Sequence, residues 1–315
     1  MTDQHFPRRD RPPRPRGLLE RAADVFDFRN ALSGHVAPPL HLPPEPVSPA
    51  PAVTPSVDIP AADRPRARAW TGPAQPLDRV AMAERGLLVP GAAVTGLSEE
   101  FRIIKRELLA RTNPRTESGE AVNGSVVLIT SAHPDEGKTF CAVNLAVSLA
   151  AESDMEVLLI DADFAKSEVP ALLGLTGGAG LMDALVDPSL RIEDLVIRTD
   201  LPGLAVLPAG RPSHSDAEHL ASSRTGAAIA SLVAGRPDRI ILFDSPPLLA
   251  ASAASILAAH ADRTLLVVRA DRTTEAALRD AAGLLGGCAE VLLMLNGVKF
   301  SASGRRFGTY YGKEG

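Results

Sequence analysis

The sequence predicts an α/β protein built on a doubly wound, mostly parallel sheet flanked by helices. Three observations carry this. Short runs of leucine and β-branched residues recur at 125–130, 156–160, 204–207, 238–243, 263–269 and 289–295. Helical patterns fall between them at 140–150, 215–233 and 273–285. Strands alternating with helices imply parallel pairing. Finally, three of the runs end in polar residues of the kind that bind ligands, and in an open α/β sheet the ligand crevice lies at those strand ends.

In chain order, an N-terminal arm comes first. Most of the 27 prolines of this 315-residue chain precede residue 91, including Pro38, Pro39, Pro43, Pro44, Pro46, Pro49 and Pro51. Proline at that density forbids helices and central strands. Residues 1–95 are therefore expected to be a disordered, partly polyproline arm. Within it, Leu18, Leu19, Ala22, Val25 and Phe26 fall at helical spacing, so 17–29 is either a short docking helix or a transient one. Order is expected from about Ser98, in a helix over 98–109 with Phe101, Ile104 and Leu108 on one face. Its Glu99, Arg102, Lys105 and Arg106 form pairs along the helix or with a neighbouring subunit. The folded domain is placed at 96–300 and a flexible tail at 301–315.

Composition narrows the partners. With 33 basic and 38 acidic residues the net charge is −5, which argues against nucleic acid. No apolar run reaches the roughly 18–20 residues that span a bilayer. The arginines near the start adjoin no hydrophobic stretch of a secretory signal. The expectation is a cytoplasmic protein. The two cysteines, Cys141 and Cys288, sit in apolar segments and read as buried residues of a reducing compartment. His214 and His219 have no metal-ligand spacing with other residues.

The strand at 125–130 leads into Ser131-Ala132-His133-Pro134-Asp135-Glu136-Gly137-Lys138-Thr139, and then into an apolar helix beginning at Phe140. Strand, loop ending Gly-Lys-Thr, and helix make up a phosphate site. Loop N–H groups and the helix N-terminus face the anion, Lys138 reaches the β/γ-phosphates, and the Thr139 hydroxyl holds Mg²⁺. The strand at 156–160 ends in Asp161-Ala162-Asp163. The strand at 238–243 ends in Asp244-Ser245-Pro246-Pro247, the form of a Walker B strand whose carboxylate holds Mg²⁺ directly or through water. Three strand ends thus converge on one site. The tail lacks apolar periodicity, yet holds both tyrosines of the chain, Tyr310 and Tyr311, side by side.

Together, Ser131 to Thr139, Asp161/Asp163, Asp244-Ser-Pro-Pro and the tyrosine tail resemble the bacterial protein-tyrosine kinases of the P-loop NTPase type that work in exopolysaccharide and capsule biosynthesis. Asp161-Ala-Asp-Phe-Ala-Lys166, Asp244-Ser-Pro-Pro-Leu-Leu-Ala and Phe101-Arg-Ile-Ile-Lys-Arg106 resemble the branch linked to exosortase-associated loci. The resemblance implies an ATP-dependent autokinase. The loop from His133 through Pro134, Asp135, Glu136, Gly137, Lys138, Thr139 and Phe140 would bind ATP. Thr139, Asp161 and Asp244 would hold Mg²⁺, with Lys138, Asp161 and Asp163 catalytic and Tyr310 and Tyr311 as phosphoacceptors.

By the same resemblance, Glu99, Arg102, Lys105 and Glu218 would lie between subunits of a ring, where each tail is phosphorylated in trans. Asn296 is either an adenine contact or a buried strand cap. The implied partners are further copies of the chain, a separate membrane-spanning chain-length regulator that would hold the kinase at the inner membrane, and a tyrosine phosphatase. Two positions depart from the family pattern. Ala165 stands where the family carries an arginine, with Lys166 next, and Lys105 replaces the last arginine of the subunit helix, which weakens bidentate pairing. The rivals are a ParA/MinD-like switch ATPase and a non-catalytic nucleotide-sensing module. The first needs a lysine early in the loop, where this chain has Ala132, His133 and Pro134.

Overall fold

The computed structural model describes residue 70 and residues 72–112, 125–213 and 215–298. The sheet grows outward from the strand that precedes the phosphate loop. That strand, β2 (Val126–Ser131), lies between β6 (Arg239–Asp244) and β7 (Arg263–Arg269). Beyond β6 come β3 (Glu156–Asp161), β5 (Leu204–Leu207), β4 (Ile197–Thr199) and the two-residue β1 (Ala74–Gln75); beyond β7 lies β8 (Glu290–Asn296). All neighbours pair in parallel except β4 with β5. The chain winds from β2 to β3 on one side and from β6 to β7 on the other. That reversal opens a crevice at the C-terminal ends of the central strands.

Alternation along the strands divides the core into two layers, as a two-residue side-chain period requires. Val126 and Leu128 of β2 face one apolar cluster, while Val127 and Ile129 face the other. The second cluster is filled by α3 (Lys138–Ala150), in which every residue from Cys141 to Ala150 is buried. It also takes Phe101 and Leu108 of α2 (Gly96–Thr112). The first is covered by α5 (Leu181–Val186), α6 (Asp216–Leu220), α7 (Ser223–Val233), α8 (Ser252–Ala258) and α9 (Glu275–Gly283). A mixed sheet with helices on both faces is the expected architecture.

Two expectations need correction. Order begins well before residue 96: β1 extends the sheet edge and α1 (Arg79–Glu84) is capped by the Asp78 side chain, which accepts from Ala81 N at 2.9 Å. Leu77, Met82 and Leu87 bury into the second cluster. Each such side chain contributes about 1.5–3 kcal/mol, enough to fix a segment whose prolines, Pro73 and Pro76, flank so short a strand. The single helix expected over 215–233 is two helices, because Ser222 adopts an extended conformation at the start of α7 and turns its hydroxyl back to His219 O at 2.6 Å. The proposed helix at 17–29 and the tail from 299 lie outside the described residues.

Candidate active site

The phosphate loop runs from Ser131, at the end of β2, to Gly137, which caps α3 with φ +95°. Only glycine takes that conformation cheaply. A second reason for glycine is contact: a Cβ there would meet Asn296 Nδ2 at 2.2 Å. The loop is held from inside. Ser131 Oγ donates to His133 O at 2.8 Å, and His133 N–H donates to Glu136 Oε2 at 3.0 Å. The Thr273 hydroxyl donates to Glu136 Oε1, and Asn296 Nδ2 donates to Glu136 O at 2.9 Å. His133, Pro134 and Asp135 are exposed on the loop surface. Glu136 is 3% exposed, so its carboxylate is committed to the loop's own brace and only its backbone is left for a ligand. Its expected part in binding ATP, as one residue of the loop, thus falls to its backbone.

At the first turn of α3, Lys138 Nζ lies 2.7 Å from Asp163 Oδ2, with both side chains nearly buried. Asp161 and Asp244 stand side by side, paired in register at the ends of β3 and β6. Asp161 is fully buried and accepts from Ser167 Oγ at 2.8 Å, Val169 N at 3.1 Å and Asp163 N at 3.3 Å. Its oxygens thus shape the loop into α4 (Val169–Leu173). Burial nevertheless pulls its pKa up. Asp244 is the more exceptional. Burial is the main cause that pushes its pKa up to about 8, with Lys138 acting against it and Asp161 with it. The Thr139 hydroxyl hydrogen-bonds Asp244, while Asp244 Oδ1 is buried with no hydrogen-bond partner.

A buried carboxylate oxygen without a donor is costly. A second carboxylate beside it, with a hydroxyl from Thr139, fits a small hard cation. Among the described residues no group of three or more His, Cys, Asp or Glu side chains forms a self-contained metal cage. Mg²⁺ does not ask for one, because it keeps several waters and takes phosphate oxygens with one or two carboxylates.

Sequence reasoning missed several contributors. Lys166, already noted beside Ala165 but given no role, swings back over the loop, 3.8 Å from Asp135 and 3.4 Å from Glu168, so a cation does face the cleft. Arg85 and Leu87, from the segment assigned to the disordered arm, line the same cleft beside Phe140. Asn144, nearly two turns into α3, accepts from Leu88 N at 2.6 Å and ties that segment to the phosphate helix. A polar residue inside an otherwise apolar helix was the available signal.

Asn296 is drawn to the loop backbone, as above. Of the expected subunit contacts, Glu99 and Arg102 pair with each other on α2, and Glu218 is exposed on α6. Lys105 does not fit that role: it is buried, bonded to Ser148 O at 3.1 Å and to Glu152. Cys141 lies just under the site, where burial, then Asp244, pushes its thiol up to about 12, in keeping with an inert core residue.

No protein-family model matches the chain. It is 36% identical over 206 residues to the tyrosine-protein kinase YwqD of Bacillus subtilis, covering 65% of this chain and 82% of that one. The chain belongs to the bacterial tyrosine-protein kinases. It is also 32% identical over 182 residues to the tyrosine-protein kinase Wzc of Salmonella typhimurium, but spans only 25% of that longer protein. Among solved structures, the kinase domain of Escherichia coli tyrosine kinase ETK superposes with a TM-score of 0.57 at 25% identity, covering 67% of this chain and 80% of that one. The VpsO kinase domain gives 0.50 at 29% identity over 63% of this chain and 98% of its own. The fold is thus a nucleotide-binding P-loop fold of this kinase family. No described helix is long and apolar enough to cross a membrane.

Proposed function

We propose that the kinase uses ATP and Mg²⁺ to phosphorylate its own Tyr310 and Tyr311, in trans between copies of a ring. The observation that carries this reading is the Lys138–Asp163 pair set beside Asp244 at the mouth of the phosphate loop. Phosphoryl transfer needs positioning and charge neutralisation more than covalent chemistry by the protein. As ATP enters the loop, its phosphates draw Lys138 away from Asp163, and the freed carboxylate becomes the base. The phenol, with a pKa near 10 in water, gives its proton to Asp163. Its oxygen bonds to the γ-phosphorus, and the bond to the β,γ-bridging oxygen breaks to release ADP. Thr139, Asp244 and the neighbouring Asp161 would hold Mg²⁺, which would neutralise charge on the phosphates. Asp161 keeps the 163–169 loop in place, and Lys166 adds a cation at the cleft rim.

Each new phosphate brings about −1.5 to −2 charge, so phosphorylated tails would repel and loosen the ring. Set in an exopolysaccharide or capsule system of the exosortase-associated kind, that cycle would govern polymer length or export. The partners would be a separate membrane-spanning chain-length regulator, which would hold the kinase at the inner membrane, and a cognate tyrosine phosphatase. Mixing Lys138→Ala, tail intact, with the Tyr310→Phe/Tyr311→Phe double variant tests the trans step. Phosphotyrosine on the Lys138→Ala chain is expected with Mg·ATP. Phosphate appearing only when site and tail share one chain would refute it.

A further inference from the structure

Glu136 occupies the loop position before Gly137, where the side chain has no part in the phosphate-binding chemistry. It is nonetheless one of the most deeply buried ionisable groups near the site. Its two carboxylate oxygens take donors from opposite directions. One is the His133 N–H at the start of the loop; the other is the Thr273 hydroxyl, between β7 and α9. Thr273 is fixed in turn, since its Oγ1 also accepts from Arg269 N at 2.8 Å. The Glu136 carbonyl takes the Asn296 amide at the end of β8. Immediately beyond, Gly297 has φ +69°, and a Cβ there would meet the Arg269 guanidinium at 2.5 Å. Loop, β7–α9 turn and β8 end therefore form one connected polar unit around a single glutamate, through its carboxylate and its carbonyl.

We propose that Glu136 is a positioning residue for the nucleotide. Its carboxylate sets the curvature of the phosphate loop against Thr273, and its carbonyl ties the loop to the strand end that leads into the tyrosine-bearing segment. The inference rests on the kinase reading for its purpose, but the brace itself acts on nucleotide binding. A loop held in the phosphate-ready shape favours ground state and transition state alike, so losing the brace raises KM with little change in kcat. A rigid loop also spares the nucleotide the cost of ordering it.

The test uses the full chain with a fluorescent ATP analogue for binding and ATP for turnover. Glu136→Ala is expected to weaken analogue binding and raise KM about tenfold, with kcat within about threefold of wild type. Glu136→Gln should regain most of the affinity, because the carboxamide oxygen still accepts a hydrogen bond. Thr273→Val should weaken binding similarly and add little on top of Glu136→Ala, as partners in one unit do. Unchanged affinity in folded Glu136→Ala, or full additivity with Thr273→Val, would overturn the proposal. Should wild type bind the analogue but make no phosphotyrosine even with the cytosolic tail of the proposed chain-length regulator added, the kinase reading fails while the binding series still decides the brace.

Discussion

Strands β3 and β6 carry charge at both ends, and the two ends are built oppositely. Where they begin, Glu156 pairs in register with Arg239. Arg239 is fully buried and satisfied: it bonds Glu156 at 2.8 Å, donates to Leu232 O and lies 3.8 Å from the centre of the Trp70 ring. Arg236 joins the same glutamate and Asp238. Where the strands end, the registered pair is Asp161 with Asp244, two carboxylates, with Asp163 adding a third against the buried ammonium of Lys138. One end is a closed ionic joint; the other is an unbalanced one with an orphan oxygen. Buried charge does not mark function by itself. Buried charge left uncompensated marks the place where a ligand completes the structure.

The comparison breaks first, and hardest, if the unbalanced end is dispensable. Lys138→Ala should cut phosphotyrosine formation at least about 100-fold, the scale of losing a preorganised transition-state donor. At the closed end the effect should be on stability instead. Arg239→Met leaves the partly buried Glu156 with Arg236 alone, and losing one hydrogen-bonded partner there costs about 1–3 kcal/mol. Urea denaturation should register that loss, with kcat per folded molecule unchanged.

A third variant sharpens the contrast through pH. Because the folded pKa of Asp244 is raised to about 8, the native state holds a proton there that the unfolded chain has lost above about pH 4. Cation-free stability from this group is therefore fully present at low pH and falls as pH rises from about 4 to 8. Asp244→Asn should flatten that decline, raising the Tm of the cation-free protein at pH 8 by a few degrees (~1 kcal/mol or more), while abolishing any Mg²⁺-dependent rise. The smallest effect belongs to the partly exposed pair between Arg79, at the start of α1, and Asp200, just past β4. Arg79→Ala should cost no more than about 1 kcal/mol by the same denaturation assay.

The two ends were unequally legible in the sequence. Asp161, Asp163, Asp244 and the Gly-Lys-Thr loop announce themselves because each closes a run of buried apolar residues, a local pattern. Arg239 and Glu156 sit at strand starts among ordinary charges, and only the register, a long-range fact, brings them together. The same limit explains β1 and α1. Nothing local distinguishes their proline-flanked sequence from the arm before it; what folds them is a free edge at β4 and the helix α4, on which α1 packs. Lys105 was misread for a related reason. Its spacing along α2 is right for a subunit contact, but the helix's rotation points it at Ser148 and Glu152. Glu136 looked like one more loop residue until Thr273 and Asn296 were placed beside it.

The central claim is that the unbalanced end of β3 and β6 is where phosphate passes to the tyrosines. Its most direct test is intact-mass and phosphotyrosine analysis of wild type, Asp244→Asn and Arg239→Met with Mg·ATP, with the cytosolic tail of the proposed chain-length regulator supplied. Phosphate is expected at Tyr310 and Tyr311 in wild type and in folded Arg239→Met, and none in Asp244→Asn. Phosphorylation of Asp244→Asn at the wild-type rate, or none in wild type, would contradict the account.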